Sequence, residues 1–124
     1  MTEDPGTARV ITLLVVDDHP VVRDGLRGMF ASAPGFEVLG EAADGAEALA
    51  AVAEASPDLV LADLTMPRLD GKALLERLPA GLPAIVITGR DEPPPPRAAA
   101  LLRKDELTRE RLAFAIRHVM RGTR

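Results

Sequence analysis

The sequence predicts an α/β domain wound around an open parallel sheet, and three observations carry that expectation. Short runs of Val, Ile, Leu and Ala recur without polar alternation, as strands buried on both faces do. Segments with apolar residues at helical spacing separate these runs. Aspartates stand at the ends of two of them, where ligands gather in open parallel sheets.

Residues 1–9 are polar, contain Pro5-Gly6, and read as a flexible tail before a domain over 10–122, with 123–124 as the chain end or the start of a linker. Val10 to Val16 is the first strand. It stops at Asp17-Asp18-His19-Pro20, and Pro20 suits the first turn of a helix carrying Val22, Leu26, Met29 and Phe30. Pro34-Gly35 closes that segment. Phe36 to Ala42 is a second strand, interrupted by Glu37, Gly40 and Glu41. Asp44 can cap a second helix with a stripe of Ala48, Leu49, Val52 and Ala53, broken by Ser56-Pro57.

Leu59 to Ala62 is strand three, with Asp63 directly after it. Asp70-Gly71 opens a third helix carrying Leu74, Leu75 and Leu78, and Ala84 to Thr88 is strand four. The alternation predicts parallel strands joined by right-handed crossovers. Pro93 to Pro96 then forbid a helix, since each proline removes a backbone donor and clashes with the preceding turn. Polyproline II is the conformation expected there. Arg97 to Lys104, centred on Leu101 and Leu102, reads as a fifth strand on topology. Its lack of β-branched residues leaves a helix as the competing reading. Thr108 can cap a last helix with Leu112, Ala115, Ile116 and Val119 on one face and Gly122 as its stop.

With 124 residues, 47% hydrophobic and 27% charged, the chain has the profile of one soluble globular domain. Three Phe, no Trp and no Tyr mean an aliphatic core, and the absence of Cys rules out disulfides, thiolate metal sites and cysteine nucleophiles. No apolar run reaches the roughly 18 residues of a membrane span, and no signal-peptide pattern opens the chain, so a cytoplasmic location without membrane contact is expected. The net charge of −4 argues against a nucleic-acid surface. The arginines of the last helix, Arg109, Arg111, Arg117, Arg121 and Arg124, read as a solvated face with cations favoured at its C-terminal end.

Asp17, Asp18 and Asp63 would converge if strands one and three are neighbours. Like charges that close raise one another's pKa or recruit a cation. With oxygen donors and no His or Cys expected nearby, Mg²⁺ is the natural choice. The bland alternative is that Asp17 and Asp18 favour the N-terminus of the following helix. Thr88 adds a hydroxyl and Lys104 an ammonium at two further strand ends. A carboxylate nucleophile, a divalent cation, a hydroxyl donor and a point positive charge are what phosphoryl transfer to a carboxylate requires.

These residues also carry a resemblance. Leu14 to Pro20 and Asp63-Leu64-Thr65-Met66-Pro67-Arg68-Leu69-Asp70-Gly71, with Thr88 before a small residue and Lys104-Asp105, resemble the receiver domains of bacterial two-component response regulators. The likeness spans Ile11 to Gly122. Asp17 to Leu26 looks most like the NarL/LuxR type, whose receivers precede a helix-turn-helix DNA-binding domain.

The resemblance implies a flavodoxin-like doubly wound sheet of five strands in the order 2-1-3-4-5. It implies Asp63 as phosphoacceptor, not a turnover enzyme, and Mg²⁺ held by Asp18, Asp63 and the Thr65 carbonyl, with Asp17 acting through water. Lys104 and Thr88 would meet the phosphoryl oxygens, Leu101 would hold the switch position, and Thr65 and Arg90 would tune the phosphoryl lifetime. Pro67 and Gly71 would shape the adjoining turn, while His19 and His118 receive no role. The implied partners are a sensor histidine kinase and a second copy of the chain, with DNA reached only through an effector domain outside this sequence.

The chain departs from that family between strands four and five. Only 15 residues separate Thr88 from Lys104, and prolines stand where receivers carry their fourth helix. Twelve residues, Gly89 to Ala100, still bridge two parallel strands, since crossovers need about 10–12. Leu101 replaces the usual aromatic. The pocket is therefore expected to be intact and its usual readout weakened or rerouted. Two further functions compete: a binding module acting without phosphorylation through the proline segment, and a hydrolase with an aspartyl-phosphate intermediate. Thr65, standing where such a hydrolase needs a second acid, argues against the latter.

Overall fold

The computed structural model describes residues 10–64, 71–89, 91 and 93–122. Five strands form one parallel sheet: β1 (Ile11–Val16), β2 (Phe36–Ala42), β3 (Leu59–Asp63), β4 (Ala84–Thr88) and β5 (Ala100–Arg103). Their order is β2-β1-β3-β4-β5, the flavodoxin-like arrangement. Four α-helices connect or follow them: α1 (Pro20–Ala31), α2 (Gly45–Ala55), α3 (Gly71–Arg77) and α4 (Arg109–Gly122). A 3₁₀ turn, Lys104–Glu106, links β5 to α4.

Strand periodicity divides the core between two faces. Leu14, Val16, Val60, Ala62 and Val86 point to one side, where they meet Ala48 and Val52 of α2 and Leu74 and Leu75 of α3. Leu13, Val15, Leu61, Ile85 and Ile87 point to the other, against Leu26 and Phe30 of α1 and Leu112, Ile116 and Val119 of α4. Both faces of the three inner strands are thus covered, which is why their sequences run apolar without alternation. Each buried Leu or Ile contributes about 1.5–3 kcal/mol in removed apolar surface.

The local signals act as their chemistry requires. Asp44 accepts a hydrogen bond from the Glu47 amide at 2.9 Å and caps α2. Ser56, in the left-handed conformation with φ 49°, ends it. Thr108 Oγ1 accepts from the Arg111 amide at the start of α4. Below the sheet, Asp58 accepts from the Thr12 amide and hydroxyl at 2.9 and 3.0 Å, lashing the lead-in to β3 onto β1.

Several sequence expectations shift. β1 begins at Ile11, with Val10 exposed, and β3 extends through Asp63 itself. The fifth element is a strand but shorter than Arg97 to Lys104, because Arg97 lies in a turn and Lys104 opens the 3₁₀ turn. Ala53 is exposed, and the apolar side of α2 is completed by half-buried Leu49 and Ala51. Gly122 is the last helical residue of α4 rather than a stop beyond it.

Among the described residues between β4 and β5 none is helical. A strap takes the helix's place. The Ala98 amide donates to the Pro95 carbonyl to close a turn, and the Ala99 amide donates to the Ala84 carbonyl at 2.8 Å. Arg97 reaches back to donate to the carbonyls of Pro79 at 2.8 Å and Leu82 at 3.3 Å. Leu82, Ala98 and Leu101 pack half-buried on the α2–α3 face. Small apolar groups and one arginine thus do part of the work of a covering helix.

Candidate functional site

β1 pairs with β2 on one side and β3 on the other, so the order reverses between β1 and β3. Chains leaving the carboxyl ends of these two strands diverge and open a crevice. Val16 is in register with Ala62, which puts Asp17-Asp18 and Asp63 on the same rim. Asp17 is 2% and Asp63 4% exposed, while Asp18 is half-buried.

The sequence reading placed no histidine here; the structure does. Oxygen atoms of Asp17, Asp18 and Asp63 and a ring nitrogen of His19 all lie within 4.8 Å of one another. The His19 amide donates to Asp17 Oδ1 at 2.8 Å, which turns residue 19 back over the acids. Its Nδ1 then stands 3.1 Å from Asp17 Oδ1 and 3.0 Å from Asp18 Oδ1. The contact with Asp18 lacks hydrogen-bond alignment, so Asp18 Oδ1 has no hydrogen-bond partner among the described residues despite being buried.

Lys104 supplies the opposing charge. Its Nζ is 3.7 Å from Asp63 Oδ2 and 3.9 Å from Asp17 Oδ2, at separations suited to a charge contact rather than a tight pair. A Cβ on Gly89 would stand 3.9 Å from Lys104 Cδ, an ordinary contact, so a small side chain would also fit there. Thr88, 1% exposed, ends β4 in register with Arg103, the residue before Lys104. Leu101 pairs with Val86 two residues back along β5.

Arg23 is a second residue that sequence reasoning missed. From α1 its Nη1 donates to the Asp17 carbonyl at 2.6 Å and its Nε to Glu41 Oε1 at 3.0 Å. Arg27 pairs with the other Glu41 oxygen. Hydrogen bonds from Arg27 and then Arg23 hold the Glu41 carboxyl below the usual carboxylate range. Glu41, one of the residues that interrupt the apolar pattern of β2, thus helps anchor the turn carrying the acids through Arg23. No local spacing signalled this role, since Glu41 lies 18 residues away on β2.

Three carboxylates facing one ammonium leave an excess of two negative charges. Among the described residues Asp18 Oδ1 has a charge contact with His19 but no hydrogen-bond partner, a position a cation could fill. This donor set fits a divalent ion. Thr65, Pro67 and Arg90 lie outside the described residues, and Gly71 is the first residue of α3.

Fold and crevice define a class: a doubly wound parallel domain with an acidic cleft at its topological switch point. The sequence profile of the response regulator receiver domain matches residues 13–105, and the chain belongs to that family. The signal receiver domain of NarL from Mycobacterium tuberculosis superposes with a TM-score of 0.81 at 31% identity, over 92% of this chain and 98% of that one. The uncharacterized transcriptional regulatory protein YhcZ of Bacillus subtilis (strain 168) is 56% identical over 59 residues, 48% of this chain and 28% of that protein. A protein-glutamate methylesterase/protein-glutamine glutaminase of Geobacter metallireducens is 43% identical over 84 residues, 64% of this chain and 24% of that protein. The chain thus spans about a quarter of the length of these two curated relatives. Among the described residues no helix is long and apolar enough to cross a membrane.

Proposed function

We propose that this chain is a phosphoryl-accepting receiver, with Asp63 as the phosphoacceptor. The observation that carries the reading is the Asp63 carboxylate, buried at the end of β3, within 4.8 Å of the other acids and 3.7 Å from the Lys104 ammonium. An Asp63 oxygen forms the new bond to phosphorus as the bond from phosphorus to the donor breaks, and the leaving group takes the electron pair. Lys104, held between Asp63 and Asp17, meets charge on the phosphoryl oxygens, and the Thr88 hydroxyl donates to one of them. Asp18 and Asp63, with the Thr65 carbonyl and Asp17 through water, would hold Mg²⁺. When bound, such an ion would supply neutralisation of oxygen charge at Asp63. Thr65 and Arg90 tune how long the product survives, and Pro67 and Gly71 shape the turn beside it.

The phosphoryl source is a sensor histidine kinase, in the cytoplasm. The similarity to a transcriptional regulatory protein supports control of transcription. In this reading the output runs through a DNA-binding domain outside the given sequence, and a second copy of the receiver is a further partner. Incubation with Mg²⁺ and acetyl phosphate, followed by intact mass, tests the reading. A one-phosphoryl gain that Asp63→Asn abolishes supports it, and no gain in the wild type refutes it.

The signal leaves by an altered route. The strap between β4 and β5, with Leu101 beneath it, weakens the ordinary readout. A phosphoryl mimic should leave amide exchange across 89–105 little changed; the broad protection of an ordinary receiver would refute that. The exposure of Pro93, Pro94 and Pro96 favours one other reading, a phosphorylation-independent protein- or ligand-binding module.

A further inference from the structure

His19 caps α1 without a side-chain cap bond, in extended backbone geometry with φ −105° and ψ 114°. Its ring is instead turned onto two carboxylates. Two donors bound to one six-coordinate ion at about 2.1 Å, at a right angle, stand about 3.0 Å apart. The His19 Nδ1 distance to Asp18 Oδ1, 3.0 Å, has that spacing, while a 3.1 Å hydrogen bond to Asp17 Oδ1 holds the ring in place. The whole set of donors lies within 4.8 Å, a little more than the roughly 4.2 Å across such a shell, so small side-chain shifts close it. The other histidine contrasts with this: His118 is exposed on α4 and stacks on Phe114.

From this juxtaposition we infer that His19 is a cation-selecting ligand: it adds a nitrogen donor to the acidic cleft and shifts its preference from Mg²⁺ toward imidazole-binding cations such as Zn²⁺. The inference rests on the reading of the cleft as a divalent-cation site. Between two carboxylates, which only accept, the Nδ1 of His19 carries its proton. Ligation moves that proton to Nε2, and the side chain, 61% exposed, leaves the resulting tautomer hydrated. Hard Mg²⁺ gains little from an imidazole, whereas Zn²⁺ takes imidazole nitrogen readily. The carboxylates therefore provide charge and His19 provides discrimination.

The test uses the full chain, labelled with ¹⁵N and titrated at fixed pH with Zn²⁺ or Mg²⁺ alone. Only two histidine rings contribute, and His118 is the internal reference. Calorimetry gives the Zn²⁺ to Mg²⁺ affinity ratio. Zn²⁺ is expected to shift the His19 Nδ1 resonance without moving His118, and His19→Ala to lower the ratio at least about tenfold. Zn²⁺ binding with the His19 ring unmoved and the ratio unchanged would overturn the inference while leaving the receiver reading intact. If Asp18→Asn leaves binding of both cations unaltered, the cation-site reading fails and the inference with it.

Discussion

Asp63→Asn removes one negative charge from the cleft with little change in shape, and it should stabilise the cation-free protein. The acids' donor atoms lie within 4.8 Å of one another, and at that outer limit unit charges repel by about 3.5 kcal/mol at an effective dielectric constant of about 20. Asp63 faces two such neighbours, Asp17 and Asp18. Against that, the Lys104 ammonium at 3.7 Å attracts it by about 4.5 kcal/mol on the same scale. Repulsion wins by about 2.5 kcal/mol. The partial exposure of Asp18 and Lys104 screens each term, leaving a net gain of about 1–2 kcal/mol.

For a chain of 124 residues that corresponds to a rise in Tm of about 4–8 °C. The assay is thermal unfolding at one fixed pH, low salt and with EDTA. Mg²⁺ should then raise the wild-type Tm and narrow the gap, since an ion bound only by the native state stabilises it by mass action. An Asp63→Asn Tm equal to or below that of the wild type in EDTA would refute the reasoning, because the acids would not be in mutual repulsion.

Three other perturbations probe the supporting structure. Asp44→Ala deletes the cap of α2 and should cost about 1 kcal/mol, read as a lowered urea midpoint at unchanged slope. Arg97→Ala removes two charge-assisted bonds from the strap, one of them at an exposed nitrogen. It should speed exchange of the Ala98 and Ala99 amides about 5- to 30-fold while the Leu61 and Ile85 amides stay protected. Because the Glu41 pKa is lowered in the folded state, its contribution is complete above about pH 4.5 and lost as pH falls through the lowered value. The stability difference between wild type and Glu41→Gln, at most about 1 kcal/mol for a partly exposed pair, should vanish on acidification over that range.

The fold was legible because its punctuation is local. β-branched runs, Pro20, Asp44, Ser56-Pro57 and Thr108 act within one turn of where they stand. The convergence of Asp17, Asp18 and Asp63 also followed from strand ends alone, given parallel strands. His19 was not legible, since its position over the acids depends on one backbone bond to Asp17 that reverses the chain within two residues. Arg23 and Arg97 were missed for a related reason: long side chains reach partners 18 residues away, across elements whose relative placement only the packed sheet defines. Proline content correctly excluded a helix before β5. It could not show that Arg97, read as the start of a strand, is the tie that holds the replacement segment down.

The central claim is that Asp63 accepts a phosphoryl group. Its most direct measurement is the intact mass of the protein after incubation with Mg²⁺ and acetyl phosphate, beside Asp63→Asn and Lys104→Ala. A single phosphoryl gain is expected in the wild type, none in Asp63→Asn, and a reduced gain in Lys104→Ala. A wild type that gains no mass, or an Asp63→Asn protein that gains as much, would contradict it.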